Sequence, residues 1–401
     1  MNLKTTKQHS CLNSRLALTF FVTSLLCLSY RADATNYIWT GNGADTSWTT
    51  TANWSPNTGS PGAGDTAIIN TNGSPQALPS QNTTLLFNTL MLTNSVSLST
   101  PSIGTAAWSP ANGVAGIYTN VLVGAAYPAN VGINFFRGGS PHPVNLAPGT
   151  NYWENLGSRT VYVYANVLMV QAKNAGQTSQ WVFDGPGVWI LGADTGNTLQ
   201  GTILTNGPGT LQIVKNGTGS LKLMSTVTNS ASGGFILNNG QVVINNGGDP
   251  SATGFATNSA LGTGTFTING GSIENTSGGD LTLSSANKQV WNGDFAYGGS
   301  FASFDLGSGS VTLSNTVQVT VSNNTLSVDG VISGAGKGIA KAGPGTLALN
   351  GVNSYTGNTI INAGTLSLGA SGSLSSGSSV NIGGGGTFDV SSQPTWALAA
   401  R

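Results

Sequence analysis

The stretch Gly343-Pro-Gly-Thr-Leu-Ala-Leu349 is the clearest copy of a seven-residue pattern that recurs along this chain. Two glycines enclose one residue, a hydroxyl residue follows, and apolar residues occupy positions five and seven. Glycine permits the backbone conformation of a tight corner, and apolar alternation turns one side of a strand inward. The pattern therefore predicts a turn followed by a short β-strand. Four more copies begin at Gly207, Gly217, Gly262 and Gly307.

Looser copies of the same turn and alternation fill the intervals between these five. They lie at Asn239–Ile244, Gly279–Leu283, Asn324–Val328, Gly364–Leu368 and Gly386–Val390. Such recurrence is typical of a solenoid, in which neighbouring strands pair at about 4.8 Å. We predict an all-β fold, a β-helix or β-solenoid of stacked glycine-rich strands with an irregular N-terminal cap region. The predicted core includes Leu211, Leu221, Phe266, Leu347 and Leu366.

The composition agrees with strands and turns throughout. Glycine accounts for 58 of the 401 residues, and only 6% of the chain is charged, against about 25% in typical soluble domains. A hydrophobic content of 38% supplies enough apolar side chains for a core, which argues against disorder.

The first 34 residues match a secretory signal peptide. Lys4, Lys7 and Arg15 precede the apolar run Leu16–Leu28, and Ala32-Asp-Ala34 forms a small-residue cleavage site. We expect cleavage between Ala34 and Thr35 and a secreted or cell-surface location. Because the chain's two cysteines, Cys11 and Cys27, lie in this segment, the mature chain contains no disulfide.

The mature chain offers little for nucleic acid or for a lipid bilayer. Nine basic and twelve acidic side chains give a formal net charge of −3 from Thr35 onward, without a basic cluster that could neutralise phosphates. No apolar segment after the signal peptide is long enough to cross a membrane. We predict neither a nucleic-acid partner nor a transmembrane segment.

Two regions follow the signal peptide. Residues 35–200 are predicted to form the N-terminal cap and irregular β-rich rungs, and residues 201–401 regular repeats that stop within a repeat. Trp39, Trp48 and Trp54 cluster near the start. Tryptophan stacks on sugar rings, but bulky rings also close the end of a solenoid. We prefer the cap, because terminal units of repeat proteins are atypical, and keep all three as candidate glycan contacts.

A second aromatic group could also contact a glycan. Trp291, Phe295 and Tyr297 lie in a stretch flanked by Asp294 and Asp305, although the period-two spacing of Phe295 and Tyr297 equally predicts packing inside a strand face. These three residues complete the set of candidate glycan contacts.

Catalytic constellations are scarce. His142 is the only histidine after the signal peptide, and the carboxylates are scattered. We predict no catalytic, metal-binding or cofactor-binding residue and no enzymatic activity. The alternative is a polysaccharide-acting enzyme with loops that build a cleft around Arg137, His142, Glu154 and Arg159.

The segment Lys341–Leu368, which contains Asn353-Ser-Tyr-Thr-Gly357, closely resembles the autotransporter-associated β-strand repeat. Lys215–Ile244 resembles a degenerate copy, with Met224–Gly234 where the Asn-x-Tyr-Thr-Gly element would stand. The resemblance implies a β-helical passenger at or beyond the outer surface of a Gram-negative-type bacterium, usually without catalysis. If the chain is a fragment, a translocator or anchor is expected downstream.

These observations predict an exported structural or interaction protein. Its function would be adhesion or matrix contact, with an extracellular glycan or another surface protein as its partner. The alternatives are the polysaccharide-acting enzyme and a non-catalytic glycan-binding module.

Overall fold

The structure is a computed structural model. It describes residues 35–45, 49–62, 65–70, 89–93, 120–123, 131–134, 142–146, 148–157, 160–164, 167–172, 174–192, 201–224, 227–245 and 260–393. Within these ranges the regular elements are β-strands, apart from one 3-10 turn at Thr51–Asn53. No helix in these ranges has the length and hydropathy to span a membrane.

The strands follow one another closely along the chain. Those before residue 140 are β1 (Asn36–Trp39), β2 (Trp54–Ser55), β3 (Thr66–Asn70), β4 (Thr89–Thr93), β5 (Asn120–Val123) and β6 (Val131–Asn134). Those of the middle region are β7 (His142–Leu146), β8 (Gly149–Asn155), β9 (Thr160–Tyr164), β10 (Val167–Ala172), β11 (Thr178–Asp184), β12 (Val188–Leu191), β13 (Gly201–Thr205), β14 (Thr210–Lys215), β15 (Ser220–Leu223), β16 (Val227–Asn229), β17 (Phe235–Leu237) and β18 (Gln241–Ile244).

After residue 260 the strands are shorter and their spacing is more regular. They are β19 (Phe266–Ile268), β20 (Ser272–Asn275), β21 (Leu281–Thr282), β22 (Gln289–Trp291), β23 (Phe295–Tyr297), β24 (Phe304–Asp305), β25 (Val311–Leu313), β26 (Val317–Val321), β27 (Thr325–Val328), β28 (Ile332–Ser333), β29 (Ile339–Ala342), β30 (Thr346–Leu349), β31 (Thr359–Ile361), β32 (Gly364–Leu368), β33 (Val380–Ile382) and β34 (Gly386–Asp389).

From β7 onward, successive strands belong to different sheets, so the chain winds around a common core. The first face has the order β2-β1-β3-β4-β5-β8-β11-β14-β17-β19-β22-β25-β28, and the second face has β6-β9-β12-β15-β18-β20-β23-β26-β29-β31-β33. The third face consists of two sheets, β7-β10-β13-β16 and β21-β24-β27-β30-β32-β34. The fold is a three-faced β-helix, which confirms the predicted fold class.

The length of one turn of the β-helix varies. Leu326 pairs with Leu347 and Leu347 with Leu366, whereas Ser179 pairs with Leu211, so a turn takes between 19 and 32 residues in these examples. The first and second faces continue across residue 200. The predicted division at that position remains a proposal based on the regularity of the sequence.

The core consists of side chains that the alternation along the strands predicts to point inward. Leu211, Leu221, Phe266, Leu347 and Leu366 are all completely buried, which confirms the predicted inward positions. Burial of each such side chain contributes about 1.5–3 kcal/mol to stability, and stacked rungs merge these contributions into one core.

The two glycines of the seven-residue pattern have different physical roles. The first glycine of all five copies has positive φ, for example 78° at Gly307, which non-glycine residues rarely adopt. At Gly309, the second glycine of that copy, an added Cβ would overlap the backbone carbonyl oxygen of Asn287 on the preceding turn. In the looser copy at Asn324 an asparagine with φ 51° stands at the position of the second glycine, because Thr325 pairs with Thr346, which follows Gly345.

The N-terminal end has its own closing element. β2 pairs antiparallel with β1 and ends the first face there, whereas the other described strand pairings are parallel. The rings of Trp39 and Trp54 meet edge to face at 5.0 Å. The Asp65 carboxylate accepts hydrogen bonds from the backbone amides of Thr35 and Gly62, both at 2.8 Å. The interpretation of this region as an N-terminal cap stays a prediction.

Candidate functional site

The tryptophans near the start do not present rings to solvent. Trp39 and Trp54 are only 5% and 1% exposed and pack against each other, so they cannot stack on a sugar. The glycan-contact hypothesis is therefore corrected for these two side chains in favour of the cap. Trp48 lies outside the described residues.

The second aromatic group is also internal. Trp291, Phe295 and Tyr297 are buried, and the rings of Trp291 and Phe295 meet at 4.9 Å. Tyr297 donates a hydrogen bond to the carbonyl of Ala302 at 2.5 Å, and burial raises the pKa of its hydroxyl. These rings fill the core because they alternate along strands at inward positions, so the glycan-contact hypothesis is corrected for them too.

The cleft of the enzyme hypothesis is only partly described. Arg137 and Arg159 lie outside the described residues, His142 is in β7 on the third face, and Glu154 is in β8 on the first. Glu154 is instead in register with Asp184 of β11 on the same face.

A row of asparagines that sequence reasoning missed lies at the corner where the first face ends. Four of them directly follow a first-face strand, and strand register brings these four into line on successive turns. The fifth, Asn315, lies one residue beyond this line, because Leu313 pairs with Trp291 and Ser314 follows Leu313. The side chains are exposed or half-buried. We call this row the amide ladder; it consists of Asn216, Asn238, Asn269, Asn292 and Asn315.

Hydrogen bonds run through the amide ladder in one direction. Nδ2 of Asn238 donates to Oδ1 of Asn216 at 2.7 Å, and Nδ2 of Asn269 donates to Oδ1 of Asn238 at 2.5 Å. Nδ2 of Asn292 donates to Oδ1 of Asn269 at 2.7 Å, and Nδ2 of Asn315 donates to the backbone carbonyl of Asn292 at 2.6 Å. An amide has two N–H donors and two acceptor lone pairs, so these ladder bonds leave further capacity.

Two carboxylates extend the row toward the N-terminus. Asp184 pairs with Glu154, and Phe183 pairs with Lys215, so Asp184 precedes Asn216 in the same line. Both carboxylates are half-buried. Tyr152, two residues before Glu154 on the same outward side of β8, is 46% exposed. We call Glu154, Asp184 and the amide ladder together the polar column.

A buried lysine lies directly behind the column. Lys215 is 1% exposed, and its ammonium donates to the carbonyls of Asn216 and Gly217 in its own turn and of Asn239 in the next. Lys341 is completely buried and binds the carbonyls of Ala342, Gly343 and Ala363 at 2.7–3.2 Å in the same manner. Burial lowers the pKa of both lysines to about 8, although nearby Asp184 opposes this at Lys215.

The polar column can exchange hydrogen bonds with a ligand, and its two carboxylates, Glu154 and Asp184, are in register on neighbouring strands. Among the described residues, no group of three or more His, Cys, Asp or Glu side chains could hold a metal ion. The sequence signal for the ladder was present, because asparagine recurs where a first-face strand ends. It was not recognised because the intervals between these asparagines are unequal.

Comparison with known proteins identifies the repeats. Residues 213–244 and 339–368 match the model of the passenger-associated-transport-repeat. The chain contains autotransporter passenger repeats. This confirms the resemblance seen in the sequence, including the degenerate first copy.

Part of the chain is also similar to a curated protein. Over 184 residues, 44% of its length, this chain is 30% identical to the Adhesin BmaC autotransporter of Brucella suis biovar 1 (strain 1330). The chain spans only 5% of the length of that relative. No solved structure matches. Similarity to autotransporter passengers indicates export to the cell surface or beyond.

The two passenger repeats have the same local structure on different faces. In the first, Lys215 ends β14 on the first face and the corner leads to β15 on the second. In the second, Lys341 lies in β29 on the second face and the corner leads to β30 on the third. Asn216 and Asn238 of the amide ladder belong to the first passenger repeat.

Proposed function

We propose that this chain is a surface-exposed, adhesin-like passenger whose function is adhesion or matrix contact. The observation that carries the proposal is the similarity of 184 residues to an adhesin autotransporter. The outward polar column supports it, because a parallel β-helix holds such a row of side chains in fixed positions for contact with an extracellular partner.

Adhesion can be measured directly with beads coated with the exported chain. We expect these beads to adhere to cultured epithelial cells or to deposited extracellular matrix more than beads coated with the heat-unfolded chain. Equal adherence of both preparations to every surface tested would contradict the proposed function.

Export through the predicted signal peptide is part of the same proposal. We expect the secreted chain to begin at Thr35. N-terminal sequencing of material collected from the periplasm or the medium checks this, and a chain that retains Met1 in those fractions would contradict it.

One observation favours the enzyme alternative. Glu154 and Asp184 are in register on neighbouring strands, and paired carboxylates about 5 Å apart are typical of retaining glycosidases. This alternative predicts release of reducing ends from a glycan panel and loss of that activity in Glu154→Gln. Absence of release by the unaltered chain across the panel would exclude this activity for the panel's glycans.

A further inference from the structure

Building on the proposed adhesive function, we infer that the polar column is a binding surface for a neutral, extended polysaccharide, with Tyr152 as its aromatic contact. Six steps of about 4.8 Å separate Glu154 from Asn315, so the column extends for about 29 Å along the β-helix. A surface of this length accommodates several consecutive sugar units.

The hydrogen-bonding capacity of the ladder matches sugar hydroxyls. Asn238 and Asn269 each donate one N–H and use one Oδ1 lone pair within the ladder, which leaves one donor and one acceptor on each amide. A sugar hydroxyl can both donate and accept. Because ladder bonds already fix the amides, binding costs little side-chain entropy.

The charge around the column selects against anionic ligands. Glu154 and Asp184 form one end, and Asp294 is exposed two residues beyond Asn292. The ammonium of Lys215 is buried and engaged by backbone carbonyls, so it cannot pair with an anionic ligand at the surface. A uronate or sulfated polymer would meet like charge along this path.

An exposed aromatic ring lies at the acidic end. Tyr152 and Glu154 alternate along β8 and point outward, and 46% exposure makes the Tyr152 ring accessible to a sugar. Of the seven large apolar side chains exposed in the described ranges, Tyr152 and Leu156 flank Glu154 in sequence, and none lies within two residues of a ladder asparagine. Protein interfaces are centred on buried aromatic and apolar anchors, so the ladder suits a polyhydroxylated chain better than a second copy.

Calorimetric titration of the exported chain with cellohexaose tests the inference, with maltohexaose as a curled comparator and hexagalacturonate as an anionic one. We expect cellohexaose to bind at least tenfold more tightly than either, with an affinity unchanged between low and high salt because the ligand is uncharged. Binding of hexagalacturonate alone, or no binding of cellohexaose, would overturn the inference.

Two variants and two matched controls locate the site. Asn238→Ala combined with Asn269→Ala, and separately Tyr152→Ala, should each weaken cellohexaose binding at least tenfold. Asn362→Ala is the control for the asparagine substitutions. Asn362 directly follows a strand of the second passenger repeat, as Asn238 follows a strand of the first, but Asn362 is not part of the amide ladder. Phe301→Ala removes a 67% exposed ring elsewhere. Both controls should bind within twofold of the unaltered chain, and equal losses in controls and variants would refute the assignment.

Adhesion and sedimentation measurements separate the remaining outcomes. If coated beads adhere but the ladder double variant adheres equally well, the polysaccharide site is wrong and the adhesive function stands. If no preparation adheres, the proposed function itself fails. If the double variant instead loses concentration-dependent self-association, the ladder joins copies of the chain and the polysaccharide assignment is overturned.

Discussion

Two buried lysines make the stability of the fold depend on pH. Lys215 and Lys341 have pKa values of about 8 in the folded chain, because burial disfavours the charged ammonium, and 10.5 is the ordinary value. Between about pH 8 and pH 10.5 the unfolded chain binds more protons than the folded chain, so the free energy of unfolding rises with pH. Below pH 8 both states are protonated and this dependence disappears.

The expected slope is at most about 1.4 kcal/mol per pH unit for each lysine. Denaturant unfolding at a series of pH values between about 7.5 and 9.5 measures this slope. That pH range lies below the ordinary pKa of tyrosine, about 10. Lys341→Met should reduce the slope below that of the unaltered chain, because it removes one of the two buried lysines. An unchanged slope in Lys341→Met would show that this lysine does not titrate in the window.

A single core substitution tests the inward register. Leu347 is completely buried between Leu326 and Leu366 on neighbouring strands. Leu347→Asp should lower the free energy of unfolding by several kcal/mol, because a carboxylate loses hydration without gaining a partner. Thermal unfolding followed by circular dichroism measures this, with Thr312→Asp at an exposed strand position as the control. An unchanged transition in Leu347→Asp would contradict the register.

At the scale of the element, each of the five seven-residue copies requires glycine at its second glycine position, because the preceding turn leaves no room there for a side chain. Gly309 approaches the carbonyl of Asn287 so closely that a methyl group cannot fit without movement of the backbone. We expect Gly309→Ala to reduce the free energy of unfolding by about 1–3 kcal/mol, as overpacking does elsewhere. Gly279→Ala enters open space and should change it by less than about 0.5 kcal/mol. Chemical denaturation distinguishes them, and equal stability of the two variants would refute this role.

The corners and inward positions were predictable because both depend on local rules, glycine at a turn and alternation along a strand. The face of the β-helix that each strand occupies could not be predicted from the sequence. Copies of one pattern begin β14, β15 and β30 on three different faces, because turns of unequal length separate them. The amide ladder was hidden for the same reason, since its alignment requires the register between turns. For Trp291 and Tyr297 the sequence left two alternatives, burial in the core and contact with a glycan. Alternation along a strand does not say whether the face that carries the aromatic side chains points inward or outward.

At the scale of the whole β-helix from Thr35 onward, the first face has a closing strand at its N-terminal edge. The N-terminal edge is covered by β2, which pairs antiparallel with β1. An uncovered edge strand pairs readily with another chain, so β2 protects the edge of β1 from pairing with a second copy.

Removal of the N-terminal cover should therefore change association more than stability. Trp54 is 1% exposed and holds β2 against Trp39 and Tyr37. Trp54→Ala is expected to loosen β2, expose the edge of β1 and produce concentration-dependent oligomers in sedimentation velocity experiments. Trp291→Ala removes a buried ring from the interior and should lower the unfolding temperature without oligomers, because it leaves the edge covered. A monomeric Trp54→Ala chain at high concentration would show that β2 is not what keeps the β-helices apart.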